Sequence, residues 1–405
     1  MSAGPAAGAA PPDPSPAGRD ADPEPLPPEL AALRARFAAF IAGELAPAER
    51  ERGVGDEGDA DGELRHWVRA RAEAQGFFRL LQPADLGGGG LGPLGQVALF
   101  EQLGAANSVL ARFALGGDGG VLRHAVGEQR ERLLRPVLRG ELAAAFAFTD
   151  APEGPRTCAV PREGGYTLDG VKAFVTDGPA ADLLLVVARV ADAAGGRAGT
   201  GIFAVPRAAP GVRLVRELRT LDGGRHGVFE LTAVAVAAAD LVGEVGQGLP
   251  RAMESIGAVR LRIAATACGT ARWVLDDLRA RVRRPHRSGT PLADHEQVQA
   301  LVADCAMDCY AARAATWAAA RLAESGAPAV AETAMAKALA TEAAGRVVDR
   351  AIQLTGGAAV VAGHPLARLY TRVRAWRIGE GTTEVLKLVI GRALLADGDP
   401  LSGDR

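Results

Sequence analysis

Trp376-Arg377-Ile378-Gly379-Glu380-Gly381-Thr382-Thr383-Glu384-Val385 is the stretch from which the rest of this 405-residue chain can be read. It has the form of a short loop feeding a helix. Two glycines bracket one carboxylate, so backbone can approach a ligand on both sides of Glu380. Thr382 or Thr383 can cap the following helix, with Glu384 in its first turn. Val385, Leu388, Val389 and Leu394 recur near a 3.6-residue period and are expected to face a core. Trp376 and Ile378 wall the carboxylate and can partly desolvate it. Burial raises a carboxylate pKa towards neutrality, which suits a general base. Taken alone, the stretch reads more simply as a helix N-terminus carrying one solvated glutamate.

Its surroundings reverse that preference. Upstream lie Ala351-Ile352-Gln353-Leu354-Thr355-Gly356-Gly357-Ala358-Ala359 and His364-Pro365-Leu366-Ala367-Arg368-Leu369-Tyr370. Together with the first stretch they resemble the C-terminal signature of the flavin-dependent acyl-CoA dehydrogenase family. The signature is long, ordered and spaced, and the resemblance extends over roughly residues 28 to 395.

Composition sets outer bounds. The chain is 48% hydrophobic, enough for a substantial core in two or three domains. A net charge of −2 gives no electrostatic case for nucleic acid. Four cysteines and no secretory leader suggest a reducing, cytoplasmic setting. No uncharged apolar run reaches membrane-spanning length. Heavy use of Ala, Arg and Gly has the look of a high-GC bacterial coding sequence.

In chain order, residues 1–27 are rich in Pro, Ala and Asp and read as a disordered tail. Residues 28–141 are periodic as helices: Leu30, Leu33, Phe37, Phe40 and Ile41 share one face, and Leu64, Trp67, Val68 and Ala72 share another. Gly87-Gly88-Gly89-Gly90 is not followed by Gly-Lys-Ser/Thr, so it is not a phosphate loop. Glu101 is expected to be an exposed helix residue. From 142 to 241 short β-branched or alternating runs, punctuated by Gly and Pro, indicate a small antiparallel β-domain. Residues 242–396 return to helix, in segments near 247–284, 291–324, 328–355 and 380–396 whose lengths suit a four-helix bundle. Residues 397–405 form a second tail. The expected fold is therefore mainly α with a central β-domain.

Further segments carry the resemblance. Phe146-Ala147-Phe148-Thr149-Asp150-Ala151-Pro152 is similar to the family strand whose Thr meets the flavin pyrimidine edge. Val171-Lys172-Ala173-Phe174-Val175-Thr176-Asp177-Gly178 is similar to the segment whose aromatic packs on the flavin and whose Thr meets its reactive edge; Phe174 stands where Trp is usual. Two strand residues two apart face the same side, as holding a flat ring requires. A core Phe174 beside a strand-end Thr176 is the plainer alternative. The family's Gly-x-Gly-Ser-Asp loop after Asp150-Ala151-Pro152 is missing, and the loop Leu221-Asp222-Gly223-Gly224-Arg225-His226-Gly227 lacks the customary Ser-Asp-Thr. These departures open delivery of the acyl group on a carrier protein as well as on CoA.

The resemblance implies FAD as cofactor, held by Thr149, Phe174, Thr176 and Thr382, with Arg284 or Arg287, Gln353, Gly356 and Gly357 reaching it across a subunit boundary in a homodimer or homotetramer. It implies Arg260, Gly379 and Gly381 around the substrate, with Arg260 towards the CoA portion. It implies oxidation of an acyl thioester to the enoyl product: Glu380 takes the α-proton, a hydride passes to flavin, and an electron-transferring flavoprotein accepts the electrons. A flavin monooxygenase or oxidase on the same fold, and a helical scaffold without flavin, are the alternatives. Cys305 and Cys309 share a helix face without further ligands, and the six His are scattered, so no metal is expected.

Overall fold

The computed structural model describes residues 25–55, 60–192, 196–287 and 289–395; the two expected tails and Ser288 lie largely or wholly outside them. Three layers follow one another along the chain. The first contains α1 (Pro28–Phe40), α2 (Ala46–Arg52), α3 (Gly62–Ala74), α4 (Pro93–Ala106) and the short α5 (Arg135–Leu138). Its core gathers around Phe77, which meets Phe37 edge-on at 5.1 Å and stacks on Phe40 at 5.3 Å between ring centroids. The periodicity that groups Phe37, Phe40 and Ile41 describes the buried face of α1 and its continuation.

The second layer is a seven-stranded sheet: β1 (Ala144–Ala147), β2 (Cys158–Arg162), β3 (Gly165–Thr176), β4 (Leu183–Ala191), β5 (Arg197–Pro206), β6 (Val212–Arg219) and β7 (Arg225–Ala237). It is mixed rather than antiparallel throughout. β1 and β2 dock parallel to successive parts of β4, and the remaining pairings are antiparallel. The run Leu183-Leu184-Leu185-Val186-Val187 explains why β4 is central. Leu184 and Val186 enter the core of the β-domain, while Leu183, Leu185 and Val187 pack on Val121, Leu122, Leu133 and Leu134 of the first layer. A strand covered on both faces needs such an unbroken apolar run.

The third layer is a bundle of α6 (Gly248–Val282), α7 (Glu296–Glu324), α8 (Val330–Thr355), α9 (Pro365–Trp376) and α10 (Thr383–Leu395). The expected helices are present, and α9, nucleated by Pro365 at its first position behind the His364 cap, is additional. Small residues line the contact of α6 with α8: Ala264, Ala271, Ala336, Ala340 and Ala344 are all buried. Two glycines bring α4 still closer to α6. A Cβ on Gly269 would lie 1.9 Å from the Glu101 carbonyl oxygen, and one on Gly104 would lie 2.1 Å from that of Thr266.

Two expectations are corrected here. Glu101 is 3% exposed, not solvated: its carboxylate accepts from Arg313 Nε at 2.6 Å and from Trp317 Nε1 at 3.0 Å, tying α4 to α7. The apolar stripe of α10 does not face this chain's core. Leu386 and Thr383 are its buried residues, while Val385, Leu388 and Leu394 are 45%, 57% and 39% exposed. Periodicity identifies an apolar face but not what covers it.

The α4–α6 contact yields a test in which two effects oppose each other. Helix propensity favours Ala over Gly by about 1 kcal/mol within a helix. The Gly269→Ala methyl would meet immobile backbone, and overpacking costs about 1–3 kcal/mol. Gly269→Ala is therefore expected to lower the denaturation midpoint; a raised midpoint would show that the helices separate freely.

Candidate active site

The Glu380 loop begins where α9 ends. The amides of Ile378 and Gly379 both donate to the Ala375 carbonyl, at 2.9 and 3.1 Å, closing the last turn. Glu380 then adopts a left-handed conformation, φ 55°, and Gly381 follows at φ 102°. A non-glycine residue there costs about 1–2 kcal/mol unless its surroundings hold it. Thr382 restarts helix: its Oγ1 accepts from the Val385 amide at 3.3 Å, so Thr382 is the cap of α10.

Three side chains from other helices hold this bend. Arg260 of α6 donates through Nε to the Glu380 carbonyl at 2.8 Å. Lys337 of α8 donates through Nζ to the Gly381 carbonyl at 2.7 Å. Glu342, also of α8, accepts from Arg377 Nε and from Thr383 Oγ1, both at 2.9 Å, and so binds the loop on either side of Glu380. Arg260, expected towards the CoA portion of a substrate, is 5% exposed and reaches the Glu380 loop. Ile378 is 52% exposed and Trp376 packs on the bundle core, so the expected apolar walls give way to a cationic floor.

The electrostatics follow from this setting. Burial raises the half-buried Glu380 carboxyl above its ordinary value, and the charges of Arg260 and Lys337 only partly oppose it. Burial, helped by the charge of Arg260, pushes the Lys337 ammonium down to about 8. A carboxyl raised above its ordinary value, on a bend fixed by three side chains, can take or give a proton without rearrangement.

A second cluster lies on the rim of the sheet. β3 and β7 slip register between Lys172 and Val175, and Phe174 there has φ 54°. Val175 is fully buried and pins the bulge, while Phe174, 59% exposed, and Thr176 lie on the open side. This excludes the core reading of Phe174. Thr149 is adjacent, its carbonyl accepting from the Ala173 amide at 2.9 Å. Thr176 Oγ1 lies 3.2 Å from His226 Nδ1. Beneath the rim, fully buried Lys172 donates to the Phe148 carbonyl at 2.9 Å and to Asp150 Oδ1 at 2.7 Å. Burial pulls the Asp150 carboxyl up, yet its bonds to Lys172 and Thr157 hold it below its ordinary value. An outward-facing aromatic on a fixed bulge, flanked by two hydroxyls, fits a flat conjugated ring.

The remaining predicted residues form a third group. Gln353, Gly356, Gly357, Arg284 and Arg287 are exposed. Seven residues beyond Gly357, His364 feels the charges of Arg281 and Asp277 on the last turns of α6, so both segments share that end of the bundle. From Arg260 to the end of α6 at Val282 is about 33 Å at 1.5 Å per residue. The structure thus gathers Arg260, Gly379, Glu380, Gly381 and Thr382, gathers Thr149, Phe174 and Thr176 elsewhere, and leaves the third group distant from Arg260. Among the described residues no group of three or more His, Cys, Asp or Glu could hold a metal ion. Cys268, with its thiol pushed up to about 12 by burial, and the fully buried Cys305 are packing residues.

Sequence reasoning missed Lys337, Glu342 and His226. A signal for Lys337 existed. Only three of the chain's 46 Lys and Arg residues are lysines, and this one interrupts an alanine-rich helix. Glu342 and His226 carry no comparable local mark.

Comparison with known proteins identifies the family. Residues 27–141, 148–234 and 246–395 match the profiles of the N-terminal, middle and C-terminal domains of acyl-CoA dehydrogenase. The chain is 30% identical over 353 residues to the 3-(aryl)acrylate reductase of Clostridium sporogenes, covering 84% of this chain and 93% of the relative. It is 31% identical over 336 residues to the mitochondrial short-chain specific acyl-CoA dehydrogenase of Rattus norvegicus, covering 79% and 80%. Its fold matches the butyryl-CoA dehydrogenase of Megasphaera elsdenii with a TM-score of 0.77 at 27% identity, covering 92% and 99%. The chain belongs to the acyl-CoA dehydrogenase family.

Glu342 offers a direct check on the bend. Glu342→Ala removes the acceptor of both Arg377 and Thr383. Amide hydrogen exchange over residues 377–384 is expected to accelerate at least tenfold, equivalent to about 1.4 kcal/mol of lost protection, with the β-domain unchanged. Unaltered exchange would mean that Arg260 and Lys337 suffice.

Proposed function

We propose that this protein is a flavin-dependent oxidoreductase that moves hydrogen across the Cα–Cβ bond of an acyl-CoA thioester, with Glu380 as the proton-transfer group. The observation that carries this reading is the setting of Glu380: a carboxyl raised by burial, on a bend held from α6 and α8. A thioester α-proton is too weakly acidic for an ordinary solvated carboxylate. Burial raises the basicity of Glu380, and the fixed bend keeps its carboxylate in one place. The backbone N–H of Glu380 is available to a thioester carbonyl, whose charge grows as the α-proton leaves. Phe174, Thr149 and Thr176 would hold the ring of FAD, which when bound supplies the hydride acceptor for Cβ. Lys172 and Asp150 keep the strand ends carrying those residues in register.

The same site can work in reverse, a reading favoured by the reductases among the relatives. Protonated Glu380 would then donate to Cα. A relative named as the caffeyl-CoA reductase subunit of an Etf complex, 28% identical over 367 residues, supports an electron-transferring flavoprotein as redox partner.

The distance between residue groups supports assembly of more than one copy. Gln353, Gly356, Gly357, Arg284 and Arg287 would reach a cofactor in a neighbouring subunit. The exposed apolar face of α10, with Val385 and Leu388, would be covered in that assembly. Leu388→Glu is expected to shift the mass measured by light scattering to a smaller species and to lower retained FAD; full FAD in a monomer would overturn the shared site.

The test of function is anaerobic mixing of the yellow protein with a series of acyl-CoA esters. Glu380→Gln should retain FAD but slow flavin reduction by about 10²–10⁴-fold; near-normal reduction would refute the role of Glu380. Because Glu380 accepts a proton only when ionised, and its pKa is raised, dehydrogenation should rise with pH through that value and then level off. Enoyl-CoA reduction by the reduced enzyme should fall with pH over the same range.

A further inference from the structure

We infer that Lys337 is a positioning residue for the active-site glutamate: its buried ammonium group fixes the Gly381 carbonyl and, together with Arg260 on the Glu380 carbonyl, sets a pair of cations under the Glu380 bend. The inference rests on the reading of Glu380 as the proton-transfer group and assigns the neighbour that tunes it.

The first support is composition. Lys172, Lys337 and Lys387 are the chain's only lysines among 46 Lys and Arg residues. Arginine serves nearly everywhere else, including the deeply placed ion pairs Arg313–Glu101 and Arg262–Asp118. Yet two of the three lysines are 2% and 0% exposed, and both donate to main-chain carbonyls beside the functional segments. Lysine carries a compact charge on a slim stem, whereas arginine carries a planar fork. Around position 337 on α8, Ala334, Ala336 and Ala340 are buried as well.

The second support is the charge inventory around Nζ. Arg260 on α6 repels it; Glu380 on the loop, Glu342 on α8 and Glu384 on α10 attract it. Glu342 is already engaged by Arg377 and Thr383, and Glu384 is exposed. Of the attracting charges, Glu380 acts most strongly on the buried ammonium. A buried cation with only a carbonyl partner would be poorly compensated.

The consequence is reciprocal. Protonation of Glu380 removes a negative charge that acts on both cations and leaves their mutual repulsion less compensated. Burial by itself raises the Glu380 carboxyl above its ordinary value. The cations limit that rise, and the hydrogen bond to Gly381 keeps the carboxyl-bearing residue in its left-handed conformation.

The test needs no substrate. The protonated-carboxyl infrared band present in the wild-type protein and absent from Glu380→Gln is titrated against pH in wild type, Lys337→Gln and Lys337→Met. Glutamine keeps a donor for the Gly381 carbonyl but no charge; methionine keeps neither. Both variants should raise the midpoint by about one pH unit, as expected for loss of a nearby opposite charge. Exchange of the loop amides should accelerate only in Lys337→Met. An unmoved midpoint in Lys337→Gln, folded as judged by circular dichroism, would overturn the inference, and Gln decides the matter alone where Met fails to fold. Failure of the underlying reading is seen separately, as thioester-driven flavin reduction that survives in Glu380→Gln.

Discussion

Two consecutive carbonyl oxygens, those of Glu380 and Gly381, each accept a hydrogen bond from a buried cation on a different helix. The account of the site depends on this pair of bonds. They cross from α6 and α8 to a bend joining α9 to α10, so four helices must be in place before Glu380 is. The left-handed backbone of Glu380 is unfavourable by itself. It persists because neither carbonyl can turn away without leaving a buried donor unsatisfied. The same cations then act on the carboxyl they position, against the desolvation that raises it.

The bundle's composition makes such an arrangement possible. An alanine-lined interface lets α6 and α8 approach closely, and Gly269 and Gly104 let α4 touch α6 through backbone. Close approach shortens the reach required of Arg260 and Lys337 and excludes water around them. In exchange, alanines make up much of the bundle's buried core. The bundle relies on polar ties such as Glu101 with Arg313 and Trp317 to hold its layers. The β-domain solves a different problem. Its central strand is apolar on both faces because it is covered twice, leaving the rim at Phe174 and Thr176 to carry function.

Local chemistry was legible in the sequence where it is truly local. Gly379-Glu380-Gly381 followed by Thr382 announces a bend and a helix cap, and both are present. The three-layer order also followed from changes of hydrophobic period. What sequence could not supply was partnership across distance. Lys337 and Glu342 lie about forty residues before the loop they hold, and Arg260 lies 120 residues before it. Glu101 looked like a surface residue because its partners lie over 200 positions away. The face of α10 was misassigned for a related reason: an apolar stripe reports a need for cover, and this chain does not meet it. The parallel docking of β1 and β2 on β4 escaped notice because alternation is the same in either strand direction.

The central claim is that Glu380, held on its bend, exchanges a proton with the α-carbon of a bound thioester. It is tested most directly by incubating the protein with butyryl-CoA in D2O and following loss of the Cα–H signal by proton NMR, for wild type and for Glu380→Gln. The account predicts deuterium incorporation at Cα with the wild-type protein and none above the uncatalysed background with the variant. Equal incorporation by both would place the proton transfer on another group and contradict it.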